Sequence, residues 1–191
     1  MTLLILGLII FLGVHSTRML APQWRDTQIA RLGLLPWKGI YSVLSFIGLG
    51  LIIYGYGLAR LDPVVLWLPP VWTKHVAGLL MLVAFICLAA TYIPGNTLKA
   101  KMGHPMLAGV KTWALAHLLA NGNLADVVLF GAFLVWSVVG FSISRRRDKA
   151  AGVTYPRLSM QRDLLVLLLG VVGTAVFAGF LHLALIGVRP Y

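Results

Sequence analysis

The sequence contains no glutamate and only five acidic residues, all aspartate, among 191 residues, against 16 lysines and arginines. Chemistry that relies on paired glutamates, or on an acidic cage around a divalent cation, therefore has almost no groups to use. The single cysteine, Cys87, has no partner in the chain. This excludes an intrachain disulfide, a cysteine zinc cluster and a covalently attached haem.

The sequence is instead rich in apolar residues, which make up 60% of it, while charged residues make up 11%. A soluble domain carries roughly 25% charged residues, so this composition excludes a water-soluble globule. The basic residues interrupt apolar runs and do not form a patch on a polar surface, which argues against nucleic-acid binding. The sequence predicts the lipid bilayer as its main partner and no nucleic acid.

Six apolar stretches have about the length that a bilayer core requires, and they predict an all-α, polytopic membrane helical bundle. The predicted spans are residues 2–21, 38–59, 73–93, 105–121, 124–141 and 164–188. The turn-forming triplet Asn121-Gly122-Asn123 predicts a short helical hairpin at spans four and five. No linker separates domains, so residues 1–191 are expected to form a single integral membrane domain.

Lysines and arginines are distributed unevenly between the connections. Beside the first, third and fifth connections lie 12 of them (Arg18, Arg25, Arg31, Lys38, Lys99, Lys101, Arg145, Arg146, Arg147, Lys149, Arg157 and Arg162), and the opposite side carries Arg60, Lys74 and Arg189. Because cytoplasmic loops are enriched in these residues, six spans with both termini outside the cytoplasm are predicted. The first span lacks a basic start and a good cleavage site, so it is interpreted as a permanent helix rather than a signal peptide.

Small residues recur in the second and sixth predicted spans and predict close helix packing there. They are Gly48, Gly50, Gly55, Gly57 and Ala59, and Gly170, Gly173, Ala175, Ala178 and Gly179.

Three of the five histidines, His15, His117 and His182, lie well inside predicted spans. An ionisable side chain in lipid is costly, so each is a candidate functional residue. Two histidines on different membrane helices are what a non-covalently held haem b requires, because neutral imidazole is a strong axial ligand. A histidine hydrogen-bonded to a neighbouring helix explains any one of them equally well.

The helical faces around the histidines suggest ring-shaped space. Trp113 lies one turn before His117 beside small residues, and Arg18 follows His15 by one turn, where it could pair with a haem propionate or anchor the helix end at the interface. His182 is a competing ligand, because its face is also lined by small residues. Depth in the bilayer slightly favours the pair His117 and His182.

Residues 103–109 (GHPMLAG) and 113–122 (WALAHLLANG) resemble the central signature of the NnrU family of bacterial membrane proteins, supported by residues 14–16, 41–45, 72–75 and 182–190. The resemblance implies an inner-membrane protein associated with denitrification, that is, with nitrite and nitric oxide metabolism. The family is similar to the haem b enzyme 15-cis-zeta-carotene isomerase. Carried over by position, the axial ligands of the haem iron fall on His15 and His117.

Alternatives to a haem protein that serves nitric oxide or nitrite metabolism by binding, sensing or passing electrons stay open. The first is a haem-dependent isomerase of a carotenoid or another polyene lipid, although the isomerase's cysteine before the second histidine is Ala114 here. The second is a cofactor-free assembly protein. The third follows from the likeness of the Gly103-His104-Pro105 hairpin to isoprenylcysteine methyltransferases, although Gly103 replaces the arginine expected there.

Overall fold

The computed structural model describes residues 1–190, and all regular elements in that range are helical. The helices are α1 (Thr2–Leu20), α2 (Pro22–Leu32), α3 (Leu34–Ala59), α4 (Val71–Tyr92), α5 (Thr97–Met102), α6 (Pro105–Ala120), α7 (Leu124–Ala150), α8 (Met160–Val176) and α9 (His182–Ile186). A π-helical turn, Phe177–Leu181, joins α8 to α9. The predicted all-α membrane fold is confirmed.

Five helices are long and apolar enough to cross a membrane: α1, α3, α4, α7 and the continuous helix Met160–Ile186. They match five of the six predicted spans. The remaining span corresponds to α6, which has 16 residues. Two short helices, α2 and α5, were not predicted. Pro22 at the start of α2 and Gly33 at its end, with φ of 86°, are the local signals that mark it.

The C-terminal end of α6 lies on the same side of the bundle as the N-terminal end of α4. The backbone N–H of Trp67, before α4, donates to the carbonyl of Gly122, after α6, at 3.2 Å. At the other end, the guanidinium of Arg162 donates to the carbonyl of Pro94 at 2.6 Å, so the third and fifth connections also meet. This alternation supports six passes, although α6 is the shortest of the six helices concerned.

The fourth and fifth predicted spans form the expected helical hairpin. Trp113 of α6 contacts Phe133 of α7, with ring centroids 5.4 Å apart. Earlier on α6, the ammonium of Lys111 lies 4.9 Å from the ring centroid of Phe141, which comes later on α7 than Phe133. Positions on α7 advance as positions on α6 recede, which is the antiparallel arrangement that a three-residue turn requires.

The described chain divides into two compact units. The first contains Met1–Leu66 and Asn123–Ala132, and the second contains Trp67–Gly122 and the residues from Phe133 onward. The expectation of a single domain stays a prediction.

The first unit is built around the close packing of α1 against α3. A methyl group on Gly48 would lie 2.8 Å from the backbone nitrogen of Phe11, and one on Gly7 would lie 2.6 Å from that of Ile52. Only glycine permits the two backbones to approach so closely. Gly50, by contrast, has no atom within 4 Å of its methyl position, so only some of the predicted small residues form this contact.

In the second unit, α8 packs on α4 through the small residues predicted in the sixth span. A methyl group on Gly170 would lie 2.5 Å from the side chain of Ile86, and one on Gly173 would lie 3.2 Å from Phe85. Gly179, in the π-helical turn, has no atom within 4 Å of its methyl position and takes no part in this packing.

Candidate functional site

His15 lies on α1 in the first unit and is half-buried. Its Nδ1 is 2.6 Å from the carbonyl oxygen of Phe11, one turn earlier. Because a carbonyl only accepts hydrogen bonds, Nδ1 carries the proton and Nε2 carries the lone pair. The ring of Phe11 stacks on the imidazole at 4.2 Å, and the ring of Tyr41 lies 5.2 Å away.

His117 lies on α6 in the second unit and repeats this arrangement. Its Nδ1 donates to the carbonyl oxygen of Trp113, again one turn earlier, at 2.9 Å. The indole of Trp113 is tilted by 52° against the imidazole, with the ring centroids 5.3 Å apart. Both histidines therefore present Nε2 as the nitrogen with a lone pair, and both are flanked by the aromatic residue whose carbonyl they bind.

His182, the competing ligand, also uses Nδ1, but its partner is different. It donates at 2.7 Å to the carbonyl of Val188, beyond the end of α9. The ring of Phe177, from the π-helical turn, meets the imidazole edge to face at 6.0 Å. The tautomer is the same as in the other two histidines, whereas the bond depends on the C-terminal turn.

The predicted propionate partner, Arg18, lies in the last turn of α1 and is exposed. Within residues 1–190 its guanidinium has no hydrogen bond or ion pair. One neighbour of His15 was not predicted as a site residue: Tyr41, whose ring contacts the imidazole. The only sequence feature that could have pointed to Tyr41 is its position near the start of the second predicted span. Arg25 is paired with Asp26 at 2.9 Å.

An apolar cleft in the second unit lies beside Trp113. We call it the α4–α6 cleft; it is lined by Met81, Ala84, Phe85 and Leu88 of α4, by Met106, Gly109, Val110 and Trp113 of α6, and by Phe177. His117 and His182 are not lining residues, but each contacts an aromatic side chain in the wall of the cleft. His117 contacts Trp113, and His182 contacts Phe177. The cleft is thus the shared neighbour of the histidine pair that bilayer depth favours.

Among residues 1–190, no three His, Cys, Asp or Glu side chains come together as a metal-ion site. A haem iron needs only one or two protein ligands in addition to the porphyrin nitrogens. A pair of histidines, either His15 with His117 or His117 with His182, would therefore be a sufficient donor set.

Two carboxylates that the sequence analysis did not connect to partners form polar clusters. In the first unit Asp126, only 2% exposed, accepts hydrogen bonds from Tyr56 and from the side chain and backbone of Asn123. In the second unit Asp148 accepts bonds from His104 at 2.8 Å and Tyr155 at 2.7 Å. Asp148 is the one acid in the basic run Arg145–Lys149. Its position in this run marks it as unusual, but the sequence pattern does not predict that its partner is His104.

Comparison of the chain with known protein families gives a match over residues 3–190 to the family described as NnrU protein. No curated protein matches the chain, and no solved structure does.

Proposed function

This chain belongs to the NnrU family, and on that premise we propose that it is a membrane protein that binds haem b through His15 and His117. Its role in nitric oxide or nitrite metabolism is then to bind, sense or pass electrons at that haem. The two histidines that the family resemblance selects would hold the iron, with His182 as the competing ligand.

One observation carries the proposal: His15 and His117 share the same hydrogen bond from Nδ1 to the carbonyl one turn earlier. A ligating histidine generally donates its other ring N–H to a carbonyl or carboxylate, which fixes the tautomer and the ring direction. Each imidazole also has a flat aromatic neighbour, Phe11 or Trp113. The donor set therefore fits a haem with two neutral nitrogen ligands.

When bound, haem b would supply an iron that can change oxidation state and bind nitric oxide. The protein's contribution is to hold each imidazole in one tautomer and orientation and to surround the group with apolar side chains. Arg18, one turn after His15 on α1, is the cation that would neutralise a propionate.

The test is an oxidised and a dithionite-reduced visible spectrum of the detergent-purified protein, expressed with ample haem supply. Wild type is compared with His15→Ala, His117→Ala and His182→Ala, and with His75→Ala as the matched control, because His75 is exposed at the start of α4. We expect a haem b spectrum that is lost with His15 and His117 and is retained in the other two variants. Protein without a Soret band overturns the proposal, and loss with His182 in place of His15 reassigns the pair.

A second candidate function is isomerisation of a polyene lipid, and the α4–α6 cleft is the observation that favours it. The cleft is apolar and includes Trp113, whose ring contacts His117, so a short apolar segment of such a lipid in it would lie near the proposed haem. Incubation of the reduced protein with zeta-carotene, followed by chromatographic separation of isomers, tests this directly. An unchanged isomer ratio excludes zeta-carotene as the substrate.

We further propose that the protein resides in the bacterial inner membrane with both termini on the periplasmic side. The support is the uneven distribution of lysines and arginines, together with connections that meet pairwise at opposite ends of the helices.

A further inference from the structure

The α4–α6 cleft has one end close to a group of polar and basic residues. Met106, which lines the cleft, follows His104 by two residues at the start of α6. On α4 the residue at the same end is Leu88, near the end of that helix. The cleft therefore runs from the ends of the helices that carry the third connection toward Trp113 and Met81.

The polar end is held together by side chains from three parts of the chain. His104 and Tyr155 both donate to Asp148, at 2.8 Å and 2.7 Å. The guanidinium of Arg145 donates to the carbonyl of Lys101 at 2.8 Å. This bond places the Arg145 guanidinium at the end of α5, next to the turn that leads into α6. Lys101 itself adds a second cationic side chain to the last turn of α5, at the end of α6 where Met106 lines the cleft.

Positive charge at the polar end exceeds what the local acid can balance. Asp148 uses one oxygen for both of its bonds, to His104 and Tyr155. Lys101 is exposed and has no hydrogen bond or ion pair from its ammonium within residues 1–190, and Arg145, also exposed, uses one of its five N–H donors. Donors therefore remain for an anion at this place.

The cleft itself has room for a short piece of hydrocarbon. Its volume is about 170 Å³ and its lining is apolar, and an apolar cavity of roughly 150 Å³ holds a benzene-sized molecule. About six carbons of a flexible chain occupy a similar volume. α4 is long and apolar enough to cross the membrane, so the occupant comes from the bilayer.

We propose that the α4–α6 cleft and the cations at its polar end form one site for an acidic phospholipid, with part of an acyl chain in the cleft and the phosphate at Lys101 and Arg145. A chain that is apolar at both ends, such as a carotene, would leave these cations without a partner. The site requires no haem, so its test is independent of the function proposed above.

The experiment measures phospholipid that stays bound through purification. Protein is exchanged into detergent containing equal amounts of phosphatidylglycerol and phosphatidylcholine, and the lipid retained per protein is quantified by native mass spectrometry. Wild type should retain phosphatidylglycerol over phosphatidylcholine by at least about fivefold, the effect of one lysine or arginine at an anionic surface. Lys101→Gln combined with Arg145→Gln should remove the preference, whereas Lys74→Gln, on an exposed residue of α4, should leave it intact.

A second pair of variants tests the cleft. Val110→Phe fills it and should abolish retention of both lipids, whereas Val135→Phe makes the same change at a residue that is 65% exposed and should not. Equal retention of the two lipids by wild type overturns the proposal, as does unchanged retention in Val110→Phe, because the bound lipid would then lie elsewhere. Displacement of phosphatidylglycerol by zeta-carotene also overturns it. Size-exclusion profiles confirm that every variant is folded.

Discussion

The phenol of Tyr56 donates a hydrogen bond to the carboxylate of Asp126, which lies seventy residues further along the chain. The contact joins α3 to the first turn of α7, and the other oxygen of Asp126 accepts from both the backbone and the side chain of Asn123. A buried carboxylate at a helix N-terminus is stabilised both by these donors and by the helix dipole. Asp126 therefore fixes the turn that begins α7.

Asp126→Ala should destabilise the protein more than loss of any exposed acid. It removes the acceptor of three hydrogen bonds from the half-buried Tyr56 and Asn123, and the loss of a bond to a charged group costs about 1–3 kcal/mol. We expect the free energy of unfolding in detergent to fall by about 2–4 kcal/mol. Asp62→Ala, at an exposed position, is the control and should change it little. Equal effects of the two substitutions would show that the Tyr56 contact contributes nothing.

Gly48→Ala should separate α1 from α3, since the added methyl group would meet the backbone of Phe11. Overpacking of this kind costs about 1–3 kcal/mol. Gly50→Ala, two residues away on the same helix, has open space and should be neutral or slightly stabilising. Thermal unfolding of the two variants side by side measures the difference, and a Gly50 variant as unstable as the Gly48 variant would contradict the packing described here.

Asn96→Ala should weaken the turn between α4 and α5. The side chain is fully buried, donates to the carbonyls of Ala90 and Ile93, and caps α5 by accepting from the backbone of Lys99. Loss of a cap and of buried partners together is expected to lower the free energy of unfolding by about 2–3 kcal/mol. Gln23→Ala, an exposed amide on α2, is the comparison. A melting temperature within error of wild type would rule out this role for Asn96.

Single cysteines should report opposite sides of the membrane for the second and fifth connections. In a Cys87→Ala background, Asp62→Cys should react with an impermeant maleimide from the periplasm, and Lys149→Cys only after the cells are permeabilised. The pairing of Trp67 with Gly122 predicts that Asn121→Cys behaves like Asp62→Cys. Reaction of Asn121→Cys from the cytoplasmic side would mean that α6 does not cross the bilayer.

At the candidate site, the sequence predicted the neighbours of each histidine on its own helix but not those on other helices. Helical spacing placed Trp113 one turn before His117, and the structure adds that its carbonyl accepts the Nδ1–H bond. The same spacing placed Arg18 one turn after His15, and the structure adds the ring of Tyr41, 5.2 Å from the imidazole. Spacing within one helix is local, whereas Tyr41 belongs to α3 and reaches His15 only through the packing of α1 against α3.

Apolar length and the placement of charges were enough to predict the six long helices and most of their limits, but not the short helices α2 and α5. In a bilayer every backbone N–H and C=O must be satisfied within its own segment, so apolar length alone specifies a spanning helix, and flanking lysines and arginines orient it. The tertiary structure decided which polar side chains meet, such as Tyr56 with Asp126 and His104 with Asp148. It also decided that Gly48, and not Gly50, faces a neighbour. Hydropathy is nearly the same all around these helices, so rotation about each axis follows from shape complementarity and hydrogen bonding between helices.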